Sequence, residues 1–211
     1  MSNSEGLGSR HEVRLSAGTI AYRERGDGAP IVFVHPVFTN GDHWREVVPT
    51  LAERYRCITP DWPLGSHSAP MHAGADLSPP GRLPITYGWV SHLPLDRAAG
   101  DSYVRPLIRS RGTRRDANKV LRGMHPRHTL AASERFTAFD RPVLVVWGED
   151  DRIFPRSLGE RLAYAFPRAR FTVVAGSRTF VPEDRPAQLA GLIRDFTSGV
   201  DQIVPPVTAR A

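Results

Sequence analysis

The sequence has a single cysteine, a single lysine, no long apolar run and no two of its eighteen glycines four positions apart. Each scarcity removes a class of reading. Cys57 alone excludes a disulfide framework, makes a reducing cytoplasm the default compartment, and inside a strand reads as packing. No stretch approaches the ~18 uninterrupted apolar residues of a membrane span. "MSNSEGLGSR" lacks the apolar core of a signal peptide. Without paired glycines there is no Gly-x-nucleophile-x-Gly turn, in which flanking glycines let a strained backbone present a Ser or Asp. Lys119 is the lone lysine, so the net charge of +6 is almost wholly arginine, which reads as composition rather than as a ligand signal. The densest basic stretch, 105 to 123, has no aromatics to stack on bases, so no nucleic-acid partner is expected. It reads as two short helices with Leu107, Ile108, Val120 and Leu121 turned inward.

What is present is a pattern for one core. Two extended runs around Ala17-Gly18 signal a hairpin. "IVFVHP" (31 to 36) reads as a buried parallel strand, followed by a helix from Asn40 with Trp44, Val47, Val48, Leu51 and Tyr55 at helical spacing. "YRCITPDWP" and "PVLVVWGEDD" are further strands with polar ends. A helix with Leu158, Leu162, Ala165 and Phe166 follows, then the strand "ARFTVVAG" and a last helix with Leu189, Ile193 and Phe196. This alternation implies an α/β fold with a mostly parallel sheet. One domain is expected over 1 to 211. It divides into an N-terminal half-core (1 to 62), a long loop (63 to 84), cap-like helices (85 to 139), a C-terminal half-core (140 to 198) and a tail (199 to 211). Ligands of such sheets sit at the carboxyl ends of the strands, here His35-Pro36, Asp61-Trp62, Glu149-Asp150-Asp151 and Gly176-Ser177.

These residues resemble the α/β-hydrolase superfamily, in the branch of haloalkane dehalogenases, epoxide hydrolases and similar esterases. The N-terminal match is "IVFVHPVFTNGDHWREVVPTLAERYRCITPDWPLGSHSAP". The C-terminal match pairs Gly148-x-x-Asp151 with "FVPEDRPAQLAGLIRDF". The resemblance implies a soluble hydrolase of ester, epoxide or alkyl halide bonds acting on a small apolar substrate, with no metal or cofactor. Such chemistry needs a nucleophile on a tight turn, a histidine, an orienting acid and backbone N–H donors for the oxyanion. The resemblance places the acid at Asp151, with Asp150 as fallback. It places the oxyanion segment at His35, Val37 and Phe38, because Pro36 cannot donate. Thr179 stands at the histidine position, and a threonine hydroxyl takes up no proton near neutral pH.

Gly74-x-Asp76 and Gly100-x-Ser102 are loose elbow matches, but neither follows a strand pattern. Two strand-helix units, about 60 to 70 residues, read as absent from the middle of the sheet. Other histidines offer little: His67, His72, His125 and His128 are a poor base set, and "HPRH" lacks a third metal ligand. The "GDG" at 26 to 28 is a turn without the helix start of a phosphate loop. The sequence thus suggests a shortened hydrolase fold with impaired chemistry. A non-catalytic remnant binding a small ligand or a partner, or a deletion product, stays open, as does self-association. With the inner strands gone, residues 31 to 35 are expected to pair in parallel with 143 to 147. If those strands meet, the pocket between Trp62, Trp89 and Phe180 should be small.

Overall fold

The structure is a computed structural model, and it describes residues 3–72 and 89–201. Strands β1 (Ser9–Leu15) and β2 (Gly18–Arg25) form the expected hairpin, with Leu15 opposite Gly18. β3 (Ala29–Val32) pairs in parallel with β4 (Tyr55–Pro60), which pairs antiparallel with β2. A 3₁₀ turn (Gly41–Trp44), capped by the Asn40 side chain, and a short α1 (Val48–Leu51) join β3 to β4. Three helices follow: α2 (Arg97–Arg109), α3 (Arg111–Gly123) and α4 (Pro126–Ser133). The chain then returns as β5 (Val143–Gly148), α5 (Arg156–Tyr164), β6 (Ala169–Val174), α6 (Val181–Asp184) and α7 (Pro186–Asp201).

Among the described residues there are two sheets, of strand order β1-β2-β4-β3 and β5-β6. The expected pairing of 31 to 35 with 143 to 147 is therefore wrong. The two halves meet through a helix instead of a ladder. α7 lays Leu189 and Ile193 along both Ile31 and Phe33 of the β3 segment and Leu144 and Val146 of β5. An apolar slot of about 500 Å³ remains between them. The shared core under α1 and α7 is continuous, from Leu51, Tyr55 and Cys57 to Val174 and Val181.

The slot leaves backbone edges open. Phe33 N–H donates to Ile58 O (2.9 Å) and Val143 N–H to Arg168 O (3.0 Å). Strand alternation then turns the amides of Val32, Val34, Leu144 and Val146 away from these partners. Those four amides are expected to exchange hydrogen much faster than those of Phe33 and Val143. Equal, slow exchange across all six would mean that the slot is closed by a ladder.

The helical segment corrects several inward assignments. Leu107 is buried, but Ile108 and Leu121 are exposed, as are Leu158 and Leu162 on α5. α5 packs through Gly159, which lies against the rings of Trp147 and Phe171 and leaves no room for a side chain. The apolar spacing marks a stripe, and nothing among the described residues covers these leucines. No described helix is long and apolar enough to cross a membrane.

Candidate functional site

The carboxyl ends of β5 and β6 are locked together by backbone. Glu149 N–H donates to Val174 O (3.0 Å) and Asp150 N–H to Ser177 O (2.9 Å). The carbonyls of Ser177 and Arg178 pass so close over Gly148 that a Cβ there would collide with them. Gly176 turns the chain at φ 62, in the left-handed region that glycine occupies without strain. Together these place Thr179 above Asp151. Thr179 Oγ1 donates to Asp151 Oδ1 at 2.8 Å, and the same oxygen accepts from the amides of Ile153 and Phe154, each at 2.9 Å. Asp151 and Thr179, the positions that the resemblance singles out for acid and histidine, are thus in direct contact through a hydroxyl.

A histidine does reach these carboxylates, one that the sequence reading missed. His92 Nε2 lies 2.7 Å from Asp150 Oδ2, both half-exposed. Its segment is held by Asp184, a buried carboxylate. Asp184 Oδ1 accepts from Ser91 Oγ (2.7 Å), His92 N (2.7 Å) and Leu93 N (3.0 Å), and Oδ2 accepts from Arg178 N (2.8 Å). Phe180 N–H closes the same seam by donating to Val90 O. The adjacent Glu183 ties in the N-terminal half. Its side chain is 4% exposed and takes two bonds from Arg45 (2.9 and 2.8 Å) and one from Tyr103 Oη (2.9 Å), with His43 Nδ1 at 3.6 Å. Burial raises the Glu183 carboxyl, but the donors His43 and Arg45 outweigh it and bring it down to about 2. The Pro-Glu-Asp-x-Pro stretch that served as a family marker is therefore a two-way clamp: Glu183 grips the 3₁₀ segment, Asp184 the 91 to 93 strap.

The remaining expected residues fall in different places. His35 is buried, and its Nδ1–H donates to Pro36 O at 2.9 Å. Burial holds its pKa down near 4 against that bond, so the ring is neutral at pH 7. Phe38 has φ 64, and its N–H is spent on Leu64 O (3.0 Å), which removes it as an oxyanion donor. Val37 N–H has no partner among the described residues. Asp61 accepts from Gly41 N (3.0 Å), is pushed up chiefly by burial, and lines a polar cavity of about 280 Å³ with Ser66 and Ser102.

The expected pocket between Trp62, Trp89 and Phe180 does not form. Trp62 donates to Phe33 O (3.1 Å) and faces the outer side of the N-terminal sheet, Trp89 is 62% exposed, and Phe180 is buried edge-on to His43. Ser102 is no elbow, since it lies inside α2 with Oγ bonded to Ala99 O. Gly74 and Asp76 lie outside the described residues. His67 is buried against Asp116 (3.2 Å), and His125 caps α4. Among the described residues no group of three or more His, Cys, Asp or Glu could hold a metal.

The architecture has clear counterparts among solved structures. A haloalkane dehalogenase loop variant from Bradyrhizobium elkanii aligns over 94% of this chain and 99% of its own, with TM-score 0.73 and 15% identity. Carboxylesterase CesB from Bacillus subtilis aligns over 93% and 95%, with TM-score 0.72 and 10% identity. This chain has the α/β-hydrolase fold. In sequence, 63 residues are 35% identical to YugF, an uncharacterized hydrolase of Bacillus subtilis (strain 168). That match spans 30% of this chain and only 23% of the relative. No protein-family model matches. Within that fold, Asp151 lies just beyond the end of β5 and Thr179 stands beside it, bonded at 2.8 Å.

Proposed function

We propose that this chain descends from hydrolases of ester, epoxide or alkyl halide bonds and is itself catalytically impaired, serving as a binding remnant of that fold. The observation that carries the reading is the 2.8 Å bond from Thr179 to Asp151. An orienting acid acts only through the base it orients, and here its Oδ1 accepts from a hydroxyl and two amides, none of them a base. The apolar slot beside α7 is the place for a small apolar ligand, lined by Val34, Trp44, Leu144 and Phe196. A second reading, that hydrolysis persists with His92 as base, is favoured by the His92–Asp150 contact.

Turnover of short activated esters by purified protein separates the readings. Wild type, Asp151→Ala and His92→Ala are expected to hydrolyse them equally slowly, at the buffer rate, because parts that work as a unit contribute nothing singly. A rate that drops about tenfold or more in Asp151→Ala, about 1.4 kcal/mol of transition-state binding, would overturn the proposal. The same drop confined to His92→Ala would establish the second reading.

A further inference from the structure

We infer that the polar cavity at the carboxyl end of β4 is a binding site for a small uncharged polyol, about the size of a single sugar ring. The end of β4 supplies Thr59 and Asp61, the loop after it Ser66 and Ser68, the 3₁₀ turn Asp42, and α2 Ser102. The lining shares no residue with the apolar slot beside α7. Its floor is buried, with Ser66 1% exposed, Thr59 2% and Asp42 7%, while Ser68 and Arg10 at the rim are exposed. The walls are tied to one another. Asn40 Nδ2 donates to Ser102 O (3.1 Å), joining the turn to α2, and Asp61 Oδ1 accepts from Gly41 N (3.0 Å), joining it to β4.

One buried group is left over. Ser66 Oγ has no hydrogen-bond partner among the described residues. An unpaired buried hydroxyl costs about 1 to 3 kcal/mol, so native proteins leave few of them. Asp61 is underused as well, since its Oδ2 takes one long bond, 3.5 Å, from Ser68 Oγ. The space is about 280 Å³, against about 30 Å³ for one water and roughly 300–1,000 Å³ for small-molecule sites. It suits one ring and no chain. The donors and acceptors select the chemistry. Burial raises the Asp61 carboxyl, Asp42 adds to the rise, and Arg23 and Arg10 oppose it. The lining therefore holds carboxylates that only accept, guanidiniums that only donate, and hydroxyls that do both. An ammonium ligand can only donate and a carboxylate or phosphate can only accept. A ring of hydroxyls pairs with all three kinds.

Titration with xylose, glucose and myo-inositol, followed by amide NMR shifts, tests this. Saturable shifts at Gly41, Asp61, Ser66 and Ser68 are expected with at least one of the three. Glucosamine and glucuronate, which add a fixed charge to the ring, are expected to bind more weakly than glucose. Ser66→Ala removes a hydroxyl that bonds to none of the described residues. Its thermal stability is expected to stay at or above wild type, while affinity for the sugar falls about tenfold, or ~1.4 kcal/mol. Asp61→Asn keeps the Oδ1 acceptor for Gly41 and is expected to weaken binding similarly, which reads the site should Ser66→Ala fail to fold. No saturable shift up to high millimolar concentration would mean a cavity that holds only water, and would overturn the inference. So would a sugar that binds both variants as tightly as wild type, or tighter binding of glucosamine or glucuronate than of glucose.

Discussion

Arg45→Ala is expected to remove about 3 to 5 kcal/mol of stability, because breaking a buried ion pair strands the partner charge. Arg45 is 6% exposed and bonds both oxygens of Glu183. What remains beside the carboxylate is one hydroxyl bond from Tyr103 and His43 Nδ1 at 3.6 Å. Tyr103→Phe, which deletes one hydroxyl bond at 2.9 Å, is expected to cost less, about 1 to 2 kcal/mol. Chemical denaturation of the three proteins checks the order. The same cluster sets an acid limb. The Glu183 pKa falls from 4.5 to about 2 on folding. A lowered carboxyl stabilises fully above the unfolded value, and that contribution is lost as pH falls from about 4.5 towards 2. It amounts to on the order of 3 kcal/mol. In Arg45→Ala this limb should flatten; an unchanged acid limb would mean that Glu183 is not its source.

Asp184→Ala is the second large effect, and a local one. Its carboxylate gathers four donors from Ser91, His92, Leu93 and Arg178. Each buried amide left without an acceptor costs about 1 to 3 kcal/mol. The strap that carries His92 is expected to open, with the His92, Leu93 and Arg178 amides exchanging roughly a hundredfold faster, the equivalent of about 3 kcal/mol. Asp184→Asn keeps the shape and the Oδ1 acceptor, so exchange at His92 and Leu93 should stay closer to wild type while Arg178 loses its acceptor. Unchanged exchange in Asp184→Ala would show that the strap is held by other contacts.

The contrast between what was and was not legible in the sequence follows contact distance. β5 announced itself as an apolar run and β6 as a stretch ending in two valines before Ala175-Gly176, and the resemblance put the acid at Asp151. The resemblance named Asp151 and Thr179 separately, and their contact across 28 residues of sequence is seen only in the structure. His92 escaped notice because its partner lies 58 residues away and no period or motif links a strap residue to a strand end. Glu183 and Asp184 were visible as a marker but not as clamps, since their donors come from the 3₁₀ segment, α2 and the strap. The sheet failed for a different reason. The expectation weighed the cost of open strand edges and left out α7, whose Leu189 and Ile193 line the slot between the two half-sheets. Side-chain packing on one face outweighed backbone pairing along the edge.

The proposed impairment is the loss of nucleophile and base together, not of the base alone. A chain that kept an Asp nucleophile but lost the base would take up an alkyl group and fail to release it, because a carboxylate attacks without giving up a proton whereas the water that releases the group must give one up. Intact-mass measurement after incubation with an excess of an activated ester, and separately of a primary alkyl halide, tests this most directly. The unmodified mass is expected with both reagents. A stoichiometric gain of one acyl or alkyl group, mapped to a single Ser or Asp side chain, would contradict the account.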